Sequence, residues 1–345
     1  LRRACMLEKP RHLERGDTVA TVSLSWGGAG DAELLWRYEV GKKRLEDVFG
    51  LKVVEMEHTL SGSAFLAEHP LLRAQDLHQA FADSEIKAVF SCIGGDDSIR
   101  MLPYIDYELL SRNPKIFLGY SDSTVTHLIL YKAGISSYYG PSVLAEFAEN
   151  LAVYPYTESW VHKLLFSTDP VGLVPMPSHW TGEYLPWTQG NRCIAKTLNV
   201  HEGAQVLQGE GVMEGPLLGG CLETLDMCIG TEIWPDFTDC LLFLETSELA
   251  VSPERFQQLL NRLVGAGFFD ESRGLLFAKP YQGIHQQEYH TILKKTLAEH
   301  GLADMPVAVN LAFGHNEPMC ILPYGSIGRF DCCSRQFSLL EPAVS

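Results

Sequence analysis

Short β-rich apolar runs alternate with stretches of helical period along the front part of this chain. Residues 18–24 (Thr-Val-Ala-Thr-Val-Ser-Leu) follow Gly16-Asp17 and stop at Ser25-Trp26-Gly27-Gly28. A helical pattern runs through Leu34, Leu35, Tyr38, Leu45 and Val48; then come a strand-like 51–55 and a helix predicted from about Arg73 to Asp83. Residues 88–93 form another apolar run, closed by Gly94-Gly95, and 115–120 a further one. Strands separated by helices pair in parallel, and their ligand loops gather at the strand C-termini. The expected fold class is α/β, with an N-terminal parallel-sheet α/β domain and a smaller C-terminal mixed α/β domain.

A chain of 345 residues exceeds one ordinary core, so two domains are expected. The first is read as 1–150. Over 151–190 the alternation blurs, with Pro155, Pro170, Pro175, Pro177 and Pro186 breaking it and Trp180 and Trp187 between them. This stretch is expected to be a connecting segment with a loop, its tryptophans packing at the domain junction or covering a pocket. The second domain is read as 191–345. It opens on a glycine-rich turn at 215–220, followed by a helix through Leu222, Leu225, Met227 and Ile229. Predicted next are a buried strand at 240–245, a helix at 253–263, a strand at 274–278, a helix at 288–300 and a short strand at 307–309. Residues 313–318 then form a turn.

Charge narrows the partners. The formal net charge is −16, which opposes binding to phosphate backbones and anionic membranes. The nine cysteines hold no C-x-x-C pair and read as reduced thiols used as small apolar groups. The residues 1–5 lead into charged sequence without the apolar core of a leader, and no apolar run reaches membrane-spanning length. The expected location is cytoplasmic, with no nucleic acid and no membrane among the partners.

Three positions stand out for chemistry. Ser121 sits where the apolar 115–120 run meets Asp122-Ser123-Thr124 and a helical stretch ending near Lys132, with Gly134 as its C-cap. A strand, a tight turn and a helix start would lift its hydroxyl out of the sheet, facing free N–H groups that stabilise an oxyanion. The plainer reading is a helix cap, because Gly-Tyr-Ser-Asp-Ser lacks the second glycine of G-x-S-x-G. Serine chemistry also needs a base and a carboxylate that orients it. Glu245 closes the 240–245 run, with Glu248 as an alternative partner. His315 lies in the glycine-flanked turn, while His127 lies on a helix that directs it away from the corner. Spacing alone leaves these alternatives open. Other chemistry fits less well: Gly27-Gly28-Ala29-Gly30 lacks the dinucleotide spacing, no Walker-type lysine is present, and His285 and His290 do not form an H-E-x-x-H pair.

Several blocks occur together in one order: Ile93-Gly94-Gly95-Asp96-Asp97-Ser98, Leu102-Pro103-Tyr104-Ile105-Asp106-Tyr107, Gly119-Tyr120-Ser121-Asp122, Tyr139-Gly140-Pro141, Gly219-Gly220-Cys221-Leu222, Leu242-Phe243-Leu244-Glu245 and Gly314-His315. With them the chain resembles the LD-carboxypeptidase family of serine peptidases along nearly its whole length. It is nearer the microcin C immunity branch than the murein tetrapeptide branch, whose members usually carry an arginine where Ile93 stands. The resemblance implies a Ser121, Glu245, His315 triad at the domain interface, an oxyanion hole from the Gly95 and Asp122 amides, no metal or cofactor, and a homodimer. Gly94 and Cys221, in the two glycine pairs' neighbourhood, are candidate substrate contacts. Arg100 and Lys279 are candidates by position for a substrate carboxylate. Cys221 replaces a frequent asparagine, Thr246 an acidic residue, and Asn316-Glu317 follow the histidine where the microcin peptidase has a second one. These departures bear on the substrate.

The expected activity is hydrolysis of an amide near the C-terminus of a small peptide or aminoacyl-nucleotide-like substrate through an acyl-enzyme. Alternatives are release of terminal D-alanine from murein tetrapeptide, a catalytically silent peptide-binding protein, and a dinucleotide-dependent oxidoreductase.

Overall fold

The computed structural model describes residues 7–345; residues 1–5, on which the leader expectation rests, lie outside the described residues. Two large sheets organise the rest. The first has six strands in the order Leu322–Pro323, Tyr138–Tyr139, Ile116–Gly119, Ile86–Ser91, Thr18–Val22, Lys52–Glu55. All neighbours are parallel except the first pair, in which Leu322 opposes Tyr139. Ile116–Gly119 is buried throughout, as expected of a strand covered by helices on both faces. The edge strand Leu322–Pro323 comes from far along the sequence, so the back of the chain completes the front sheet.

The second sheet has eight strands: Gly172–Val174, Gln336–Leu339, Ile327–Asp331, Val212–Cys221, Leu241–Glu245, Gly274–Ala278, Val307–Leu311 and Gln205–Gln208. It is mixed. The first half of Val212–Cys221 runs antiparallel to Ile327–Asp331, and the second half runs parallel to Leu241–Glu245. The two-domain α/β class holds.

Two local expectations are corrected. The glycine-rich 215–220 segment is strand, not turn. Gly219 lies so close to Phe243 that a Cβ would fall 1.7 Å from its carbonyl oxygen. The glycine therefore serves close strand approach rather than chain reversal. Residues 151–190 also hold more than a loop. Pro155 begins the helix Pro155–Leu165, where its missing N–H costs nothing, and Trp160, Val161, Leu164 and Leu165 are buried. Gly172–Val174 then joins the edge of the second sheet. His179–Trp180 pairs with Asn199–Val200. Trp187 packs beneath the Arg37 guanidinium at 4.4 Å, and Trp180 faces the Lys279 ammonium at the same distance.

Helix starts follow the sequence closely. Pro70–Ala82 and Pro253–Gly265 also begin on proline, and the Ser252 hydroxyl accepts the Arg255 N–H as an N-cap. Among the described residues, no helix is long and apolar enough to cross a membrane.

Candidate active site

The site forms at the C-terminal ends of strands from both sheets. Ile116–Gly119 ends at Tyr120, and the chain turns through Ser121–Ser123 into the helix Thr124–Lys132. Ser121 takes a φ of 63°, a conformation strained for a residue with a Cβ. Its side chain thereby leaves the sheet plane. Gly94, from the loop after the neighbouring strand, lies against it: a Cβ there would be 3.2 Å from Ser121 Oγ.

Leu241–Glu245 is buried and ends in its carboxylate. His315 comes from the turn after Val307–Leu311. Its backbone N–H and its Nδ1 both meet Glu245 Oε2, at 2.9 and 2.8 Å. A carboxylate only accepts, so Nδ1 carries a proton; when the ring is neutral, Nε2 holds the lone pair. Nε2 lies 3.0 Å from Ser121 Oγ. This approach requires glycine at position 314, where φ is 85° and a Cβ would fall 1.8 Å from Glu245 Oε2.

Tyr139 closes the arrangement. Its hydroxyl donates to Glu245 Oε1 and accepts the Ser121 N–H at 3.0 Å. Thr124 joins the two sheets: its hydroxyl donates to the Ser121 carbonyl at 2.7 Å and accepts the Cys221 N–H at 3.1 Å. The Tyr120 and His315 rings pack edge to face with centroids 5.0 Å apart, and the Tyr120 hydroxyl donates to Glu146. These tyrosine and threonine contacts escaped the sequence reading, although Tyr139 lies within one of the quoted blocks.

Burial disfavours the His315 imidazolium, but Glu245 and then Glu248 outweigh it, holding the ring's pKa well above the usual histidine range. Glu248, the alternative partner in the sequence reading, does not replace Glu245. Its Oε2 lies 2.8 Å from Nε2, on the opposite nitrogen.

The remaining candidates are distributed as follows. The buried Asp122 carboxylate accepts the Ser25 hydroxyl and the Ser98 N–H, while burial raises its pKa. Gly95, at φ 154°, packs on Ser25 and Trp26. Cys221 is buried, its register partner is Glu245, and its thiol is pushed up by burial and the nearby Glu223. Arg100 and Lys279 hold polar partners other than Ser121 and His315. Arg100 is half-exposed and joins Asp97 at 3.2 Å and the Ala67 carbonyl at 2.5 Å. Lys279 donates to Gln286 at 3.1 Å and Asn310 at 3.2 Å. His127 is wholly enclosed, bonded to Gly119 O and Ser137 Oγ, and burial depresses its pKa to about 3.

Comparison with known proteins shows the family. Residues 19–140 match the LD-carboxypeptidase N-terminal domain, and 214–329 match the LD-carboxypeptidase C-terminal domain. The chain belongs to the LD-carboxypeptidase family. The microcin C7 self-immunity protein MccF of Escherichia coli is 27% identical over 280 residues, 79% of each chain. A Bacillus subtilis protein named "Probable murein peptide carboxypeptidase" is 26% identical over 343 residues, 98% of this chain and 95% of that one. Among solved structures, an MccF-like protein from Streptococcus pneumoniae in complex with AMP matches this chain with a TM-score of 0.87 and 31% identity. That match covers 94% of this chain and 98% of that one. MccF in complex with aspartyl sulfamoyl adenosine gives a TM-score of 0.86 at 26% identity, over 98% and 99%.

Proposed function

We propose that Ser121 is the nucleophile of a carboxypeptidase that cleaves the amide of a small aminoacyl-nucleotide-like or peptide substrate. One observation carries the reading: the chain of hydrogen bonds from Ser121 Oγ through His315 to Glu245, with His315 Nε2 at 3.0 Å from the hydroxyl. His315 takes the serine proton as Oγ attacks the carbonyl carbon, and Glu245 stabilises the imidazolium that results. The Gly95 and Asp122 amides bind the oxyanion of the tetrahedral intermediate. The same proton then passes to the leaving nitrogen. Water, deprotonated by His315, attacks the acyl-enzyme and releases the acid and free Ser121.

The microcin-type substrate class is supported by the likeness to MccF and by the nucleotide ligands of the MccF and MccF-like structures. A second reading, release of the terminal residue of a murein peptide, draws support from the Bacillus subtilis relative. Incubation with an aspartyl-nucleotide amide and with a murein tetrapeptide, followed by product mass, separates the two. Wild-type turnover by Ser121→Ala would refute both. A cytoplasmic homodimer, implied by the family resemblance, belongs to the same proposal; sedimentation measures the assembly.

A further inference from the structure

His315 Nε2 has two claimants. Ser121 Oγ lies 3.0 Å away on one side, and Glu248 Oε2 lies 2.8 Å away on the other. The second contact opposes the first. A carboxylate on Nε2 stabilises a proton there, and a protonated Nε2 cannot accept the proton of Ser121. The contact is also built rather than incidental. The neighbouring Ser247 fixes the loop through its N–H and its hydroxyl, which reach Glu223 Oε1 at 3.1 and 2.7 Å. Beyond it the chain turns outward, with Leu249 exposed and Ala250 at φ 44°.

Glu248 remains accessible, its side chain 59% exposed, and among the described residues its ion-pair partner is His315. The groups facing the imidazole are Glu245 on Nδ1, Ser121 and Glu248 on Nε2, and the Tyr120 ring. The tyrosines Tyr120 and Tyr281 lie within the electrostatic reach of Glu248. None of these is a cation that would pair with Glu248 once His315 becomes neutral.

We propose that Glu248 is a specificity latch: it holds His315 Nε2 in the resting enzyme and releases it to an ammonium group of the substrate beside the scissile carbonyl. The inference rests on the proposed role of Ser121 and His315. When the ammonium pairs with Glu248, Nε2 gives its proton to water and its lone pair turns to the Ser121 hydroxyl. The substrate thereby supplies the cation that frees the base. A carbonyl carbon seated on Ser121 Oγ brings its neighbouring substituents within a few ångströms of Glu248. Neutral substrates leave the latch closed.

The test uses the full chain and a fluorophosphonate that labels Ser121, with labelling rates measured from about pH 5 to 10 in wild type, Glu248→Gln and Glu248→Ala. Loss of the carboxylate is expected to move the rising limb to lower pH by about one unit, making both variants about tenfold faster near neutrality. Protection from labelling is then measured with alanine amide, N-acetyl-lysine amide and neutral N-acetyl-alanine amide. The first carries an α-ammonium and the second a side-chain ammonium, so the better protector identifies the source of the cation. Wild type is expected to bind one of them at least tenfold more tightly than the neutral amide, and Glu248→Gln to erase the difference. Coincident pH limbs, or equal protection by charged and neutral amides, overturn the latch while leaving the Ser121 reading intact. Absence of labelling in wild type at every pH overturns both.

Discussion

The arrangement around His315 depends on single atoms. Ser121→Ala or His315→Ala is expected to lower kcat/KM by about 10⁴-fold or more, and Glu245→Gln by about a thousandfold, in steady-state assays with the cleaved amide. Because His315 acts as a base only when neutral, activity should rise with pH along a limb displaced above the ordinary histidine value. A limb at or below that value would contradict the double claim on the ring. His127 makes a separate prediction about stability. Its pKa is about 3 in the fold, so it stays neutral where the unfolded chain takes up a proton. The stability it confers is complete above about pH 6.5 and is lost as pH falls toward 3, up to about 5 kcal/mol. Acid melts of His127→Gln should show a correspondingly weaker pH dependence.

At the scale of elements, the strand–turn–helix around Ser121 was legible because its signals are local. An apolar run, an Asp-Ser-Thr corner and a glycine after the helix each act within a few residues. The glycine-rich 215–220 segment misled for the opposite reason. Glycine permits both turns and close strand contact, and only the neighbour, Phe243, decides which is used. Gly219→Ala should therefore damage the second sheet far beyond an ordinary strand glycine substitution, with a loss of several kcal/mol in denaturant titration. Pro155 misled similarly, since proline breaks a helix interior but suits its first turn. Trp160 is buried on that helix, and Trp160→Ala is expected to cost about 3–5 kcal/mol, read in the same titration.

Across the whole molecule, Lys196, just beyond the connecting segment, acts as a clasp. Lys196 reaches Glu149 from the front part at 2.6 Å and also pairs with Glu317, two residues beyond His315. Burial opposes the lysine's charge, but Glu317 and Glu149 outweigh it and raise its pKa. Lys196→Met would leave two buried carboxylates without their cation, and a stability loss of about 3–5 kcal/mol is expected in thermal or chemical unfolding. We propose residues 1–150 and 191–345 as the two domains, with 151–190 binding them together. The sequence by itself determined the α/β alternation, the corner bearing Ser121 and the carboxylate ending a buried strand, because these follow from period and short-range chain chemistry. Spacing left open which histidine meets Ser121 and the family resemblance pointed to His315; only the tertiary structure decided that Glu245 and Glu248 take opposite nitrogens of its ring and that Tyr139 closes the circuit. Those pairings join residues such as 121 and 315 across two sheets, and no local pattern encodes how distant segments meet.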